Sequence, residues 1–341
     1  MKQDVIELDG AIGGGQVLRS GVSLSMVTGR TLFIRNIRAK RSRPGLMRQH
    51  LTAVLAAAQV CGARVDGAEL GSQTLRFAPG PIQGGDYRFA IGTAGSCTLV
   101  LQTLLPALLR APTASRVTLC GGTHNPLAPP VDFLQRAWLP LLRRMGARVE
   151  LTLVRHGFVP AGGGELQAFI QPGELAPLHL TQRGTLLQAR ATTLSAGLPG
   201  QVSEREFKRV RQRLGLRLAQ LSAVEIDPDQ GPGNVLMLEY AHEHVIEVFS
   251  AFGMARVRAE TVADEAINQA LQWQASDTAV GEHLADQLLL PMALAGGGSF
   301  TTAQMSDHLH SNMAVIRRFL PVVIESHEQE EGGLKVECRA R

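Results

Sequence analysis

The stretch Cys61-Gly-Ala-Arg-Val65 returns as Met145-Gly-Ala-Arg-Val149, and this repeat decides the fold class. Each copy closes an apolar helical pattern and is followed by residues with the alternation of paired strands. Upstream of each copy, a glycine-rich turn, a helical pattern and a strand pattern occur in the same order. The sequence therefore predicts a repeated unit of a helix, a strand, a second helix and two paired strands.

A third copy of the unit is predicted at the C-terminal end of the chain, from a helix at 281–295 to a hairpin around Glu331-Gly-Gly333. Between the second and third copies, residues 182–277 carry helical and strand patterns of their own. We therefore predict an α/β protein. Its large domain, 1–181 with 278–341, consists of three βαβαββ-like units, and a smaller α/β domain at 182–277 is inserted between copies two and three.

Composition excludes several classes of protein. No apolar run reaches the roughly 18–20 residues that a membrane span requires, and the N-terminus lacks the pattern of a signal peptide. The four cysteines lie far apart without a CxxC pair, which disfavours a zinc ribbon and suits a reducing compartment. We expect a cytoplasmic protein that has no membrane partner.

The positive charge is concentrated near the N-terminus. The net charge is only +4, but residues 11–65 contain no Asp or Glu, and six Arg or Lys residues lie from Arg35 to Arg48. Such a cluster attracts a polyphosphate or a nucleic-acid end, although a solvated basic loop is the alternative. Aromatic residues are not interleaved with these cations, so a phosphorylated terminus fits better than a long single strand.

Polar and glycine-rich segments recur at equivalent places in the three units. The loops before the second helices hold the arginine cluster in unit one, His124 in unit two and His308 with His310 in unit three. The first helices begin with glycine-rich or polar segments at Gly13, Gly92 and Gly281. Because equivalent loops of repeated units occupy equivalent places, we expect these segments to converge on one site.

Each candidate motif has a functional and a structural interpretation. Gly13-Gly-Gly-Gln16 either holds phosphate at a helix N-terminus or forms a tight turn. His308 is a nucleophile, a general acid or base, a metal ligand, or a surface residue near a helix cap. Asp286 and Gln287 either contact a ribose or a metal or complement a helix dipole. Gln102 lies in an apolar helix, where a ligand can satisfy its amide.

A glycine-rich segment adds a family resemblance to this interpretation. His156-Gly-Phe-Val-Pro-Ala-Gly-Gly-Gly-Glu-Leu166 resembles the signature of the RNA 3′-terminal phosphate cyclases. Further blocks resemble the family in the same order along essentially the whole chain: Asp9-Gly-Ala11, Gly13–Arg19, Arg43–Val54, Gly92–Gln102, Gly121–Pro126 and His283–Gln287.

The resemblance implies an ATP-dependent enzyme that turns an RNA 3′-terminal phosphate into a 2′,3′-cyclic phosphate. In such an enzyme a histidine attacks the α-phosphate of ATP and becomes linked to AMP. The AMP then passes to the RNA 3′-phosphate, and the neighbouring 2′-hydroxyl expels it. The implied ligands are ATP, RNA 3′-phosphate ends and a divalent metal, Mg²⁺ or Mn²⁺, whose ligands are left unknown. A homodimer is compatible with this prediction.

The resemblance also implies roles for individual residues. His308 matches the nucleophile of the family. The catalytic residues that match phosphate-binding positions are Arg19, Arg38, Arg41 and Gln49. The matching phosphate loop is Gly13, Gly14, Gly15 and Gln16. The residues that match the ATP and AMP pocket are Gln102, Pro129, Phe133, His283, Leu284, Ala285, Asp286 and Gln287.

The chain departs from the family pattern at two positions. Ile12 stands where a glutamate usually precedes the three glycines, in a shorter loop, and His283 stands where a tyrosine that stacks on adenine is common. Two other classes of protein stay open. A non-catalytic, cyclase-like protein of ribosome assembly has no need of the histidine, and an enolpyruvyl transferase needs neither ATP nor a covalent histidine. The presence of His308 with the arginines favours the cyclase.

Overall fold

The computed structural model describes residues 5–11, 13–330 and 332–341. Ile12 and Glu331, which the sequence interpretation singled out, lie outside the described residues. Within them, the strands form four sheets of four strands each, with helices between the strands. This architecture confirms the α/β fold class.

The first sheet is formed by the N-terminal part of the chain. Its elements, in chain order, are β1 (Val5–Asp9), α1 (Gly14–Thr28), β2 (Thr31–Arg35), α2 (Arg48–Cys61), β3 (Arg64–Asp66) and β4 (Leu75–Ala78). The strand order is β1-β2-β4-β3. β1 and β2 are parallel because α1 carries the chain back to the start of the sheet, whereas β4 is antiparallel to both of its neighbours.

The second sheet repeats this arrangement. Its elements are β5 (Asp86–Ala90), α3 (Cys97–Leu108), β6 (Ser115–Gly121), α4 (Val131–Phe133), a π-helical turn (Leu134–Trp138), α5 (Leu139–Arg144), β7 (Arg148–Arg155) and β8 (Gly164–Gln171). The strand order is β5-β6-β8-β7. The first strand pair is again parallel, and β8 is again antiparallel to both neighbours.

The third sheet begins before the inserted segment. β9 (Leu178–Leu180) is followed by the segment's own elements: β10 (Leu186–Ala196), α6 (Gln201–Leu214), β11 (Leu221–Ile226), β12 (Gly233–His242), β13 (Ile246–Phe252) and α7 (Ala259–Ala275). The chain then continues with α8 (Glu282–Leu294), β14 (Gly297–Thr302), α9 (Asp307–Phe319), β15 (Val322–Glu328) and β16 (Leu334–Ala340). β9 pairs in parallel with β14, so the insertion follows the first strand of the third sheet.

The four strand orders show which sheets are alike. The third sheet has the order β9-β14-β16-β15, which matches the other two units position by position. The inserted segment differs, with the order β11-β10-β12-β13. β10, which lies at the centre of this fourth sheet, was missed in the sequence interpretation. The domain boundaries at 182 and 277 stay a prediction.

Helix packing brings the units together. α3 packs on α2, α8 on the π-helical turn and α1 on α9, so the first helix of each unit contacts the second helix of a neighbouring unit. α1 also contacts α3. These contacts place the N-terminal ends of several helices near one another.

Two hydrophobic cores contain most of the buried apolar residues. The larger core runs through all three units and reaches the inserted segment through Val235 and Met237 of β12. The alternate residues Leu236 and Leu238 point to the other face of that strand and join a second core with α7. Strand β12 therefore connects the two cores because it is apolar on both faces.

One predicted loop is part of a helix. The sequence interpretation placed 304–312 before the last helix, but α9 begins at Asp307. The hydroxyl of Ser306 accepts a hydrogen bond from the backbone N–H of Leu309 at 3.0 Å, which satisfies an amide of the first turn. The helix therefore begins earlier in the chain than predicted. His308 and His310 consequently lie in the first turn of α9, not in a loop.

All four cysteines are free thiols. Among the described residues, no helix combines the length and the apolar composition that a membrane span requires.

Phe300 tests the core of the third unit. Its side chain on β14 is 0% exposed, and we expect Phe300→Ala to lower the free energy of unfolding by about 3–5 kcal/mol because it leaves a cavity. Leu187→Ala on β10 is the control, since Leu187 is 67% exposed. Urea denaturation measures both variants. Equal stability of Phe300→Ala and the wild-type protein would contradict the described core.

Candidate active site

The N-terminus of α1 is open to an anion. Gly13 precedes the helix with a φ of 79°, a backbone conformation that favours glycine. No side chain caps the helix, and its first turn holds no acidic residue. A Cβ atom on Gly13 would lie 2.6 Å from Val17 Cγ2 and 2.8 Å from Ser311 Oγ, so the turn packs too closely for another residue. The uncapped amides and the helix dipole leave a positive end here.

Two of the predicted arginines border this helix end. The side chain of Arg41 lies against Gly14, with Nε 3.4 Å from the place a Cβ atom would occupy. Arg19 lies in the second turn of α1, and its guanidinium is 3.0 Å from the equivalent point on Gly15. Burial lowers the pKa of Arg19 to about 10, and the charge of Asp286 opposes that shift. Arg19 therefore stays protonated at neutral pH.

Arg38 has a different environment from the other two arginines. Its guanidinium donates to the carbonyl oxygens of Arg43 at 2.7 Å and Gly45 at 2.9 Å. Burial and the neighbouring charge of Arg41 lower the pKa of Arg38. In this structure Arg38 holds the loop between β2 and α2 in shape and adds positive charge beside Arg41.

His50 was missed in the sequence interpretation, although it lies in one of the blocks that resemble the family. It is only 5% exposed, and its Nδ1 accepts a hydrogen bond from the backbone N–H of Met47 at 3.2 Å. Burial, together with the charges of Arg19 and Arg38, lowers the pKa of His50 to about 3. The neutral ring therefore carries its proton on Nε2. Nε2 is 2.5 Å from the place of a Cβ atom on Gly15, so the N–H faces the start of α1.

His308 lies on the other side of the same helix end and is exposed. Its Nδ1 is hydrogen-bonded to Gln16 Oε1, and Gln16 Nε2 donates to Asp286 Oδ1. Because the amide nitrogen of Gln16 faces the carboxylate, its oxygen faces the histidine as an acceptor. A neutral His308 ring therefore carries its proton on Nδ1 and keeps a lone pair on Nε2.

Asp286 connects the charges around Gln16. Its carboxyl group is half-buried on α8. Burial raises its pKa, whereas the hydrogen bond from Gln16 and the charges of His308, Arg19 and His283 act in the opposite direction. The backbone carbonyl of Asp286 accepts from Asn312 Nδ2 at 3.2 Å, and Asn312 Oδ1 accepts from Ser20 at 2.9 Å. These bonds hold α1, α8 and α9 at fixed positions around the histidine.

A second group of predicted residues surrounds Gln287 on α8. Gln102 Nε2 donates to Gln287 Oε1 at 2.5 Å, and Trp138 Nε1 donates to the carbonyl of Gln287 at 3.1 Å. His283 is exposed one turn before Gln287. Since Gln287 directly follows Asp286, this polar group adjoins the hydrogen-bonded chain His308–Gln16–Asp286.

Other predicted residues are engaged elsewhere. The carbonyl of Pro129 accepts from Thr98 at 2.8 Å, and Gln49 Oε1 accepts from the backbone N–H of Ser96 at 3.0 Å. The side chains of three residues assigned to the nucleotide pocket lie in the hydrophobic core: Phe133, Leu284 and Ala285. Their roles as ligand contacts stay predictions.

Comparisons with known proteins identify the family of the chain. A family model described as RNA 3′-terminal phosphate cyclase matches residues 11–326. The chain belongs to this family.

Relatives with that name cover the chain almost completely. The one from Pseudomonas fluorescens is 72% identical over 340 residues, which is 100% of this chain and 99% of the relative. The one from Ectopseudomonas mendocina is 61% identical and covers 99% of both chains. The one from Salmonella enteritidis is 52% identical and covers 97% of this chain and 98% of the relative.

The family resemblance implies a divalent metal, but the residues present do not form a cage for one. Within 5–11, 13–330 and 332–341, no three His, Cys, Asp or Glu side chains are grouped so that they could hold a metal ion. Asp9, the acidic residue just before the glycine turn, accepts from the N–H of Ala11 at 2.9 Å and from Asn36 at 3.0 Å. Each oxygen of its carboxylate therefore already accepts one hydrogen bond.

The low pKa of His50 predicts that the stability of the fold depends on pH. The unfolded chain binds a proton at this residue near pH 6.5, whereas the folded protein does so only near pH 3. Stability therefore falls as the pH drops through this range, by about 2 kcal/mol at about pH 5. We expect His50→Asn, whose amide oxygen can still accept from Met47, to remove this part of the pH dependence.

Urea unfolding at several pH values measures the effect of His50→Asn. The control is Val54→Ala on the same helix, which removes buried apolar atoms but no titrating group. It is expected to lower stability equally at every pH. An unchanged pH dependence in His50→Asn would show that folding does not lower the pKa of His50.

Proposed function

We propose that the protein converts an RNA 3′-terminal phosphate into a 2′,3′-cyclic phosphate at the expense of ATP, through a covalent His308–AMP intermediate. The observation that carries this proposal is the relay His308–Gln16–Asp286 beside the positively charged start of α1. The relay leaves Nε2 of an exposed histidine with a lone pair. The names of the relatives support the same overall reaction.

In the first step, His308 Nε2 attacks the α-phosphorus of ATP. A nitrogen–phosphorus bond forms, and the bond to pyrophosphate breaks. The ring becomes positively charged, and its Nδ1–H donates to Gln16 while the Asp286 carboxylate lies beyond the amide. The carboxylate stabilises the positively charged ring of the intermediate. The hydrogen bonds also orient the histidine before the reaction begins.

The leaving pyrophosphate is negatively charged, and the α1 end can stabilise it. Arg19 and Arg41 supply positive charge, and the open helix end supplies backbone N–H groups. His50 supplies a neutral Nε2–H donor that adds no charge repulsion beside the arginines. Burial disfavours a cationic ring there, and the charges of Arg19 and Arg38 add to this effect, so the pKa of His50 is low.

The second and third steps use the same charges for RNA. An oxygen of the RNA 3′-phosphate attacks the phosphorus of His308–AMP, and neutral imidazole leaves. The neighbouring 2′-hydroxyl then attacks the RNA phosphorus, AMP departs, and the hydroxyl proton is released to water. We propose that Arg41, in the loop before α2, binds the RNA phosphate. Arg38, which is bonded to the carbonyls of Arg43 and Gly45, adds positive charge beside it. Gln102, His283 and Gln287 are proposed to contact the adenosine.

The proposal assigns no metal ligand to the chain. A divalent metal, Mg²⁺ or Mn²⁺, would enter on the phosphates of ATP, as this ion commonly does at nucleotide sites. We also propose that residues 182–277 form a separate domain, because the segment has its own sheet and a hydrophobic core of its own.

Replacing the proposed nucleophile tests the first step. We expect His308→Ala to abolish covalent labelling by ATP carrying a labelled α-phosphate, since no nitrogen remains to accept AMP. His310→Ala is the matched control, because His310 is also exposed in the first turn of α9. It should keep wild-type labelling. In the wild-type protein the label should be acid-labile and alkali-stable, as a phosphoramidate on histidine is.

The outcomes of this labelling separate the alternatives. Label that survives in His308→Ala and is lost in His310→Ala would move the nucleophile to His310. A folded wild-type protein that binds ATP without forming any label would rule out the covalent step. Failure to bind ATP at all would favour a binding protein or an enolpyruvyl transferase.

Removing one arginine tests the binding of the RNA phosphate. We expect Arg41→Ala to raise KM for RNA with a 3′-phosphate about tenfold or more, because a charge-assisted contact contributes about 1.5–3 kcal/mol. Arg64→Ala on β3 removes an equally exposed charge away from the α1 end and is the control. Cyclisation of a 3′-phosphorylated oligoribonucleotide measures both. Equal values of KM for the two variants would exclude the proposed role of Arg41.

A further inference from the structure

The helix that carries Asp286 and Gln287 begins with help from the inserted segment. Gly281 stands before the first residue of α8 and offers no side-chain cap. Its backbone N–H donates to Glu247 Oε1 at 2.5 Å. Glu247 lies on β13 and is only 2% exposed. A Cβ atom on Gly281 would lie 3.2 Å from Glu247 Oε1, so the glycine permits the carboxyl group to come this close.

A second connection joins the inserted segment to the same helix. Arg136 of the π-helical turn pairs with Glu239 of β12 at 3.2 Å, and Glu239 also pairs with Arg190 of β10 at 2.7 Å. Two residues after Arg136, Trp138 donates to the carbonyl of Gln287. β13 also packs against this turn. The inserted segment therefore holds α8 directly at its first turn and indirectly at Gln287.

We propose that Glu247 is a positioning residue of the nucleotide pocket: from the inserted segment, its carboxyl group fixes the first turn of α8 and thereby the places of His283, Asp286 and Gln287. This inference rests on the proposed function, which assigns these three residues to the ATP site. It gives the inserted segment a part in nucleotide binding without any contact of its own with the nucleotide.

The chemistry of Glu247 argues for a positioning role over a contribution to stability. Burial raises the pKa of Glu247 to about 8, although the N–H groups of Gly281 and Val248 act against this shift. A buried carboxyl group costs free energy that an apolar side chain of the same size would not. The group nevertheless meets a helix N-terminus, where its oxygen acceptor satisfies a backbone N–H and fixes the first turn.

The test compares variants of Glu247 with a matched carboxyl group elsewhere in the segment. Glu206 is 0% exposed, bonds to Asn234 at 2.6 Å and has its pKa raised to about 7 by burial. It lies on α6 and, within the part of the chain that the structure describes, forms no hydrogen bond to α8. Glu247→Leu and Glu206→Leu thus remove similar buried groups, whereas Glu247→Gln keeps an oxygen acceptor for Gly281.

The measured quantities are the apparent KM for ATP in covalent labelling and the fraction of protein labelled at saturating ATP. For Glu247→Leu we expect KM to rise by about 10–100-fold, because a small displacement of binding groups is costly. Glu206→Leu should keep the wild-type KM, even where its melting temperature falls. Glu247→Gln should restore KM to within about threefold of the wild-type value, since its amide oxygen still accepts from Gly281.

Several results would overturn the proposal. The first is that Glu247→Leu keeps the wild-type KM and only lowers the labelled fraction. The second is that Glu206→Leu raises KM as much as Glu247→Leu does. The third is that Glu247→Gln does not restore KM. If Glu247→Leu does not fold, Gly281→Ala replaces it, because the added methyl group pushes on Glu247 Oε1. A KM unchanged by Gly281→Ala would then count against the proposal.

A separate measurement distinguishes this inference from the proposed function. Calorimetric titration of ATP into His308→Ala follows nucleotide binding without any covalent step. A weaker affinity after adding Glu247→Leu to this background, together with no labelling of the wild-type protein, would retain the positioning role and reject the covalent chemistry. Normal labelling of the wild-type protein, with an ATP affinity of His308→Ala that Glu247→Leu does not change, would retain the covalent chemistry and reject the positioning role.

Discussion

The open N-terminus of α1 concentrates the positive charge on which the site depends. A glycine turn leaves the first amides of the helix without a side-chain cap, and Arg19 and Arg41 lie against the same glycines. Burial, together with the charges of Arg19 and Arg38, disfavours a protonated ring, so His50 is held neutral with its donor facing the turn. The same helix presents Gln16, which orients His308 on one side and contacts Asp286 on the other. The positive helix end and the hydrogen bond that orients His308 thus share one helical turn.

The threefold repetition explains why this turn is special. The first helices of the three units are α1, α3 and α8, and they begin at equivalent places. The start of α3 is satisfied by Gln49 and by the hydroxyl of Ser96, and the start of α8 is satisfied by Glu247. Among the described residues, α1 has no such side-chain partner. One unit therefore has an uncapped helix end, whereas the corresponding helix ends of the other two units are joined to neighbouring elements.

The sequence was informative wherever local pattern controls structure. The repeated Gly-Ala-Arg-Val stretches indicated units of equal order, and the strand orders of the three sheets are the same. Ser306 is an ordinary helix-capping residue, yet the start of α9 was placed too late because the apolar pattern begins only after it. β10 was missed because its conformation is fixed by pairing with β11 and β12. Strand pairing over such distances leaves a weak signal in the local sequence.

The candidate site shows the same division between local and long-range information. The sequence by itself determined the α/β class, the glycine turn before a helix, the clustered arginines and the histidine in the third unit, because each depends on neighbouring residues or on repetition. Only the tertiary structure decided that Gln16 lies between His308 and Asp286, that His50 is neutral and faces Gly15, and that Glu247 reaches α8. These facts depend on the desolvation and the distances of groups that are remote in the chain. No local pattern contains that information, because packing of the three units creates it.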